Sequence, residues 1–191
     1  MAPRFERVRT FVAAFGALTE RQLDDRTIKA EGGALLAELV RHDDWLPPKF
    51  AAPSSERYQQ YLLHCDSRAR FCVVSFVWGP GQSTPIHNHT VWGLVGMLRG
   101  SENSQSYVLA HGVPIANGPA KQLLPGDVEM LSPTVGDIHQ VSNALADQPS
   151  VSIHVYGANI GAVRRSVFAT NGKVTEFIST YDNDVLPNIW G

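Results

Sequence analysis

The sequence predicts an all-β core, a small β-barrel, with α-helices packed outside it at the N-terminus, and three observations carry that prediction. Apolar residues recur with helical period over the first forty-odd residues. From Tyr58 onward the pattern changes to short strands separated by clusters of Gly, Pro and Asn. Between the two regimes stands Pro47-Pro48, which is expected to end the helical part because proline has no backbone N–H to give to an inner turn. Many short strands with regular turns point to a sandwich or a closed barrel, the all-β arrangements that manage exposed edges.

Taken in order, Phe5, Val8, Phe11, Val12 and Phe15 form one apolar stripe, and Leu35, Leu36, Leu39 and Val40 form another. Thr19 followed by Gln22 predicts a capping box that opens a short helix between them. Strands are expected over 71–78, 91–98, 128–131 and 151–156. The chain of 191 residues fits one domain by the usual size of roughly 100 to 200 residues, with 1–50 as its helical segment and 51–191 as its barrel. There is no internal repeat, linker or low-complexity stretch.

Composition narrows the function. The net charge of −2 and the lack of any Lys/Arg stripe argue against nucleic acid as a partner. No stretch approaches the ~20 apolar residues of a membrane span, and Glu6, Arg7 and Arg9 interrupt the opening residues in a way a signal peptide does not. Cys65 and Cys72 are too few for a disulfide framework, and Cys72, within an apolar run, reads as a buried, inert thiol. A cytoplasmic, reducing location is the expectation. Oligomeric state is left open.

The chemistry is concentrated in histidines. His87-Asn88-His89 falls on a predicted strand, where residues two apart share a face, so both rings can reach one ion while Asn88 points away. His139, on a second strand, supplies a third imidazole and leaves the rest of a coordination sphere free for water, substrate or dioxygen. His42 at a polar helix end and His111 in a Gly/Pro-rich turn read as surface residues, whereas His64 ends a strand that leads towards the core and is open to a pocket role. Alternation also places Ser152, His154 and Tyr156 on one face of one strand, a series that can fix the His154 tautomer and orient the Tyr156 hydroxyl.

Gly81, the His-x-His pair and Gly100, followed by Gly126, Pro133, Gly136, His139 and Asn143, resemble the two motifs of the cupin superfamily, whose double-stranded β-helix (jelly-roll) barrels carry a metal at the mouth. The usual cupin glutamate is missing, with Gly93 and Leu94 at the candidate positions. With Ser-x-His-x-Tyr after the third ligand, the stretch from about Tyr58 to Phe168 resembles the thiol dioxygenase family. The resemblance implies Fe(II) held by His87, His89 and His139, a supporting triad of Ser152, His154 and Tyr156, and oxidation of a small thiol by O2 to a sulfinate.

Two departures separate the chain from the animal cysteine dioxygenase branch. Gln60 stands where that branch has a carboxylate-binding arginine, and no cysteine lies near Gly93 to form a thioether with the tyrosine. Both resemble the bacterial 3-mercaptopropionate branch, where a later arginine binds the carboxylate. The matching residue is Arg165, while of Arg164 and Arg165 at least one must be a solvated strand edge. The implied substrate is 3-mercaptopropionate, with cysteine and mercaptosuccinate as alternatives. A metal-binding cupin acting as sensor or store is the non-enzymatic alternative, and the Ser-His-Tyr series argues against it. Histidine ligands alone do not exclude zinc, nickel or copper.

Overall fold

In the computed structural model, which describes residues 5–21 and 23–190, helix α1 (Phe5–Leu18) turns Val8, Phe11, Val12, Phe15 and Leu18 inward, the stripe expected of it. The cap that follows is not at Thr19. Its hydroxyl bonds back to the Gly16 carbonyl at 2.8 Å, and Gln22 lies outside the described residues. Asp24 does the capping instead, accepting from the Thr27 amide at 2.7 Å, as a short acceptor side chain does at a helix start. Helix α2 (Asp25–Thr27) runs through a π-helical turn, Ile28–Gly32, into α3 (Gly33–Val40). The helical part therefore stops at Val40, ahead of Pro47-Pro48. The Trp45 indole donates to the Leu39 carbonyl at 3.1 Å and ties the departing chain down, and Pro48 opens a single 3-10 turn.

The strands in chain order are β1 (Gln59–Cys65), β2 (Cys72–Trp78), β3 (Gly93–Arg99), β4 (Glu102–Ala110), β5 (Val113–Ala116) and β6 (Lys121–Leu123). After them come β7 (Val128–Leu131), β8 (His139–Asn143), β9 (Ser150–Tyr156), β10 (Arg165–Phe168) and β11 (Val174–Phe177). One antiparallel sheet has the order β1-β2-β9-β3-β7. Facing it, β4 pairs with β5, β6 and β8, and β10 pairs with β11. Isolated bridges from Ser83 to Ser142 and from His87 to both His139 and Val167 place the 83–87 segment between β8 and β10. The expected strand under the His pair is thus an extended segment with single bridges; Asn88 bonds the Ser166 amide and carbonyl, and the chain leaves the sheet before His89.

Strands β2 and β9 are buried on both faces, because the helices cover the outer one. Val73, Val77, Ile153 and Val155 pack outward against Phe15, Leu36 and Val40, while Val74, Phe76, Trp78 and Tyr156 fill the barrel. Close approach depends on Gly96 in β3, where a Cβ would lie 2.8 Å from the Leu36 Cγ and 2.9 Å from a Val40 methyl. No described helix is long and apolar enough to cross a membrane.

Strand β1 is a sheet edge, and a strap near the C-terminus covers it. The Gln60 amide donates to an Asp182 carboxylate oxygen at 2.7 Å and the Leu62 amide to Asn183 Oδ1 at 2.7 Å, with Asn183 Nδ2 returning to the Leu62 carbonyl at 2.9 Å.

Candidate metal centre

Two chain segments, the 87–89 run and the start of β8, bring His87, His89 and His139 together. Their ring centroids are 4.8 to 4.9 Å apart, and their available ligand atoms lie within 4.8 Å of one another. Each ring is held by its Nδ1. That of His87 meets the Pro85 carbonyl at 3.0 Å and that of His89 the Asp137 carbonyl at 3.1 Å. A carbonyl only accepts, so both Nδ1 atoms carry the hydrogen and both Nε2 lone pairs are free. The His139 Nδ1 faces the Ser104 hydroxyl at 3.4 Å. His89 Nε2 is buried with no partner, the mark expected of an atom that waits for a metal.

Electrostatics agree with that reading. Burial pushes the His87 pKa down to about 4, and burial followed by repulsion from the neighbouring histidines holds His89 and His139 well below the ordinary value. Neutral imidazoles are the form that binds metal. Asp137 is a support that sequence reasoning missed: its carboxylate accepts from the His89 and Thr90 amides at 3.0 and 2.9 Å. It thereby holds Thr90 at a φ of 60°, a region that few non-glycine residues occupy. An Asp two positions before the third histidine was the available signal.

Ser152, His154 and Tyr156 share the inner face of β9 and form a continuous chain. Ser152 Oγ is 2.9 Å from His154 Nε2, and His154 Nδ1 is 2.8 Å from the Tyr156 hydroxyl. The His154 ring stacks on Phe76 at 4.0 Å, and burial pushes its pKa down to about 3. Tyr156 stacks on His89 at 5.5 Å, so the chain ends beside the histidine cluster. Burial raises the Tyr156 pKa well above an ordinary phenol, which keeps it a hydroxyl. Gly93 packs against that ring, where a Cβ would come within 3.1 Å.

Beside the cluster lies a cavity of about 270 Å³ lined by His87, Tyr156, Gln60 and Arg165 together with Tyr58, Phe76, Phe177 and Ser179, among others. Arg165 is 4% exposed; its guanidinium lies over the Phe177 ring at 4.6 Å, donates to the Ser179 hydroxyl, and has a buried Nε with no partner. Arg164 points to solvent and pairs with Glu176 at 3.0 Å. His64 is away from this cavity, tilted against Phe71, and His111 is exposed. Half-buried His42 lies 3.7 Å from Glu38. Burial pushes the Cys72 thiol up to about 11, so it is inert at neutral pH.

The sequence model of the family described as Cysteine dioxygenase type I matches residues 7–166. The chain belongs to the cysteine dioxygenase type I family. With its three-histidine group it is a thiol dioxygenase-like metal cupin. Among solved structures it is similar to an uncharacterized conserved protein with a double-stranded β-helix domain from Klebsiella pneumoniae, at 16% identity, covering 71% of this chain and 96% of that one, with a TM-score of 0.48. It is also similar to a cupin-like protein from Thermotoga maritima, at 21% identity, covering 61% and 83%, with a TM-score of 0.46. The residues whose place at the site sequence reasoning missed are Phe177 and Ser179 in the cavity wall, Tyr58, read only as the start of the strand region, and Asp137 behind His89.

Proposed function

We propose that the protein is an Fe(II)-dependent thiol dioxygenase that converts 3-mercaptopropionate and O2 to the corresponding sulfinate, with both oxygen atoms passing to sulfur. The observation that carries the substrate choice is the buried Arg165 in a cavity that also reaches His87 and Tyr156 and that, among the described residues, no Asp or Glu lines. Bound by His87, His89 and His139, Fe(II) would supply open positions at which a thiolate and dioxygen can meet. Because all three ligands are neutral, they leave the site in need of an anion and so favour the thiolate form of a substrate.

Arg165 suits the other end of the molecule. Its planar fork can take a carboxylate by two charge-assisted hydrogen bonds, and the partnerless Nε supports that use. Gln60 adds a neutral amide to the same wall. Tyr156, whose hydroxyl lies 2.8 Å from His154 Nδ1, would donate its hydroxyl proton towards bound substrate. An ammonium group, as in cysteine, would enter without a counter-charge and pay for desolvation. Mercaptosuccinate would bring a second carboxylate to a cavity lined by one guanidinium. The free thiols Cys65 and Cys72, cross-strand partners in β1 and β2, fit a cytoplasmic setting.

Oxygen consumption by Fe(II)-loaded protein against 3-mercaptopropionate, mercaptosuccinate, cysteine and an uncharged thiol tests the proposal, with mass spectrometry to find the sulfinate. The expected order in kcat/KM is 3-mercaptopropionate, then mercaptosuccinate, then cysteine. Cysteine as best substrate would overturn the substrate assignment, and metal binding with no oxygen uptake from any thiol would favour a sensor or store.

A further inference from the structure

Glu102 opens β4 and is fully enclosed, yet the reaction proposed above does not use it. Its carboxyl faces the Ser152 and Ser150 hydroxyls and the Trp78 indole; Ser150 Oγ lies 3.5 Å from one oxygen, and the other has no partner. No cation is among these neighbours. Burial pushes the carboxyl pKa up to about 8, against the weaker opposite pull of those donors.

Ser152 is where this carboxyl meets the relay. Indole N–H only donates, so the Trp78 contact at 3.3 Å makes Ser152 an acceptor there and leaves it a single O–H to give. Two acceptors lie beside that hydroxyl, His154 Nε2 at 2.9 Å, to which it is hydrogen-bonded, and the Glu102 carboxyl.

We propose that Glu102 is a positioning residue that sets the direction of the relay, and so decides whether Tyr156 presents a proton or a lone pair to the cavity. With Glu102 neutral, Ser152 donates to the imidazole, the better acceptor. His154 then carries its hydrogen on Nδ1 and donates it to the Tyr156 oxygen, and the Tyr156 O–H is free to point at the cavity. With Glu102 ionised, the carboxylate takes the Ser152 hydrogen. His154 must then carry its hydrogen on Nε2 and accept from Tyr156 through Nδ1, which turns the phenol proton away from the cavity. No net charge crosses the relay in either case; two hydrogen bonds reverse, Ser152–His154 and His154–Tyr156, and Ser152 gains one to Glu102.

The groups facing Glu102 leave it as the titrating member. Ser150 and Ser152 from β9 and Trp78 from β2 are uncharged, as are its register partners Asn143 in β8 and Leu123 in β6. His154, reached through Ser152, stays neutral across the range concerned. The catalytic meaning of the switch rests on the thiol dioxygenase reading, but the switch itself does not.

The test is the His154 tautomer, read from its two imidazole ¹⁵N shifts in the full chain loaded with zinc, which is diamagnetic, between pH 6.5 and 9.5. The expected result is a change from Nδ1–H to Nε2–H with a midpoint near pH 8, absent in Glu102→Gln, whose amide does not titrate. In a second arm, Fe(II)-loaded protein at saturating thiol should lose about ten-fold in kcat from pH 7 to 9 as the neutral carboxyl is lost, and Glu102→Gln should lack that decline. A constant tautomer in the unsubstituted protein overturns the proposal, whether or not the variant folds, as does an unaltered switch in a folded Glu102→Gln. A tautomer switch without thiol oxidation would sink the proposed function and keep the relay; thiol oxidation without the switch would do the reverse.

Discussion

Replacing Arg165 by alanine tests the substrate reading at the point where structure and chemistry meet. The side chain is almost wholly buried, lies over Phe177 and donates to Ser179, so the guanidinium is already fixed before any ligand arrives. Deleting a hydrogen bond to a charged group costs about 1.5 to 3 kcal/mol, which is roughly ten- to a hundred-fold in apparent affinity at about 1.4 kcal/mol per decade. The assay is initial oxygen consumption as a function of thiol concentration, for 3-mercaptopropionate and for 2-mercaptoethanol, which has no carboxylate. Arg165→Ala should raise KM for the acid by that factor and leave KM for the neutral thiol within about three-fold, well under the smallest loss expected for a charged contact. Two further variants separate charge from packing. Arg165→Met keeps most of the volume beside Phe177 and should behave like alanine, while Arg165→Lys keeps the charge without the planar fork and should fall between. An equal loss for both thiols, or full recovery by methionine, would show that Arg165 supports the cavity wall instead of binding a carboxylate.

Other outcomes can be stated briefly. His87→Ala, His89→Ala and His139→Ala should each lose bound iron and turnover, measured by metal analysis of purified protein; normal iron content in any one removes that residue from the ligand set. Tyr156→Phe should keep iron but lose roughly 10²- to 10³-fold in kcat, the scale seen when one oriented donor is removed from a closed site, and mass spectrometry should find no thioether at Tyr156. Glu102 has a folded pKa of about 8, raised above its ordinary value, so the stability it contributes is present at low pH and is lost as pH rises towards 8. Urea unfolding should therefore show the unsubstituted protein weakening relative to Glu102→Gln from about pH 5 to 8, with a slope of at most about 1.4 kcal/mol per pH unit; a constant difference would contradict burial of an unpaired carboxyl. Gly96→Ala, which sets a methyl against Leu36 and Val40, should cost about 1 to 3 kcal/mol by overpacking, read as a lower Tm with unchanged KM.

Legibility in the sequence followed the range of the interactions. The Ser152-His154-Tyr156 series was readable because strand alternation is local, and two faces of β9 follow from five consecutive residues. The histidines were readable by type and spacing, but not their support: His87 and His89 are held by single bridges and by Asp137 from a distant loop, in a segment that is not a regular strand. Thr19 looked like a cap by composition and lost that role to Asp24, five residues on, whose carboxylate reaches the Thr27 amide. Glu102 sits in a Ser-Glu-Asn-Ser stretch that reads as a solvated turn; only the closure of β4 onto the sheet that holds β9 and β2 encloses it against Ser152 and Trp78. Tyr58, Phe177 and Ser179 likewise come to the cavity from opposite ends of the barrel region, a juxtaposition with no local signature.

The strap that lies along β1 ties access to solubility. Asp182 and Asn183 use their side chains as a neighbouring strand would use its backbone, filling hydrogen-bonding groups that a bare edge would offer to another copy of the chain. The same stretch of chain carries Ser179 against Arg165 and so walls the cavity. A movement that lifted the strap to admit a larger molecule would also bare a sheet edge to self-association. Selection for a narrow substrate and selection against aggregation thus act on the same few residues, and variants that widen specificity there should be sought among those that also keep the edge filled.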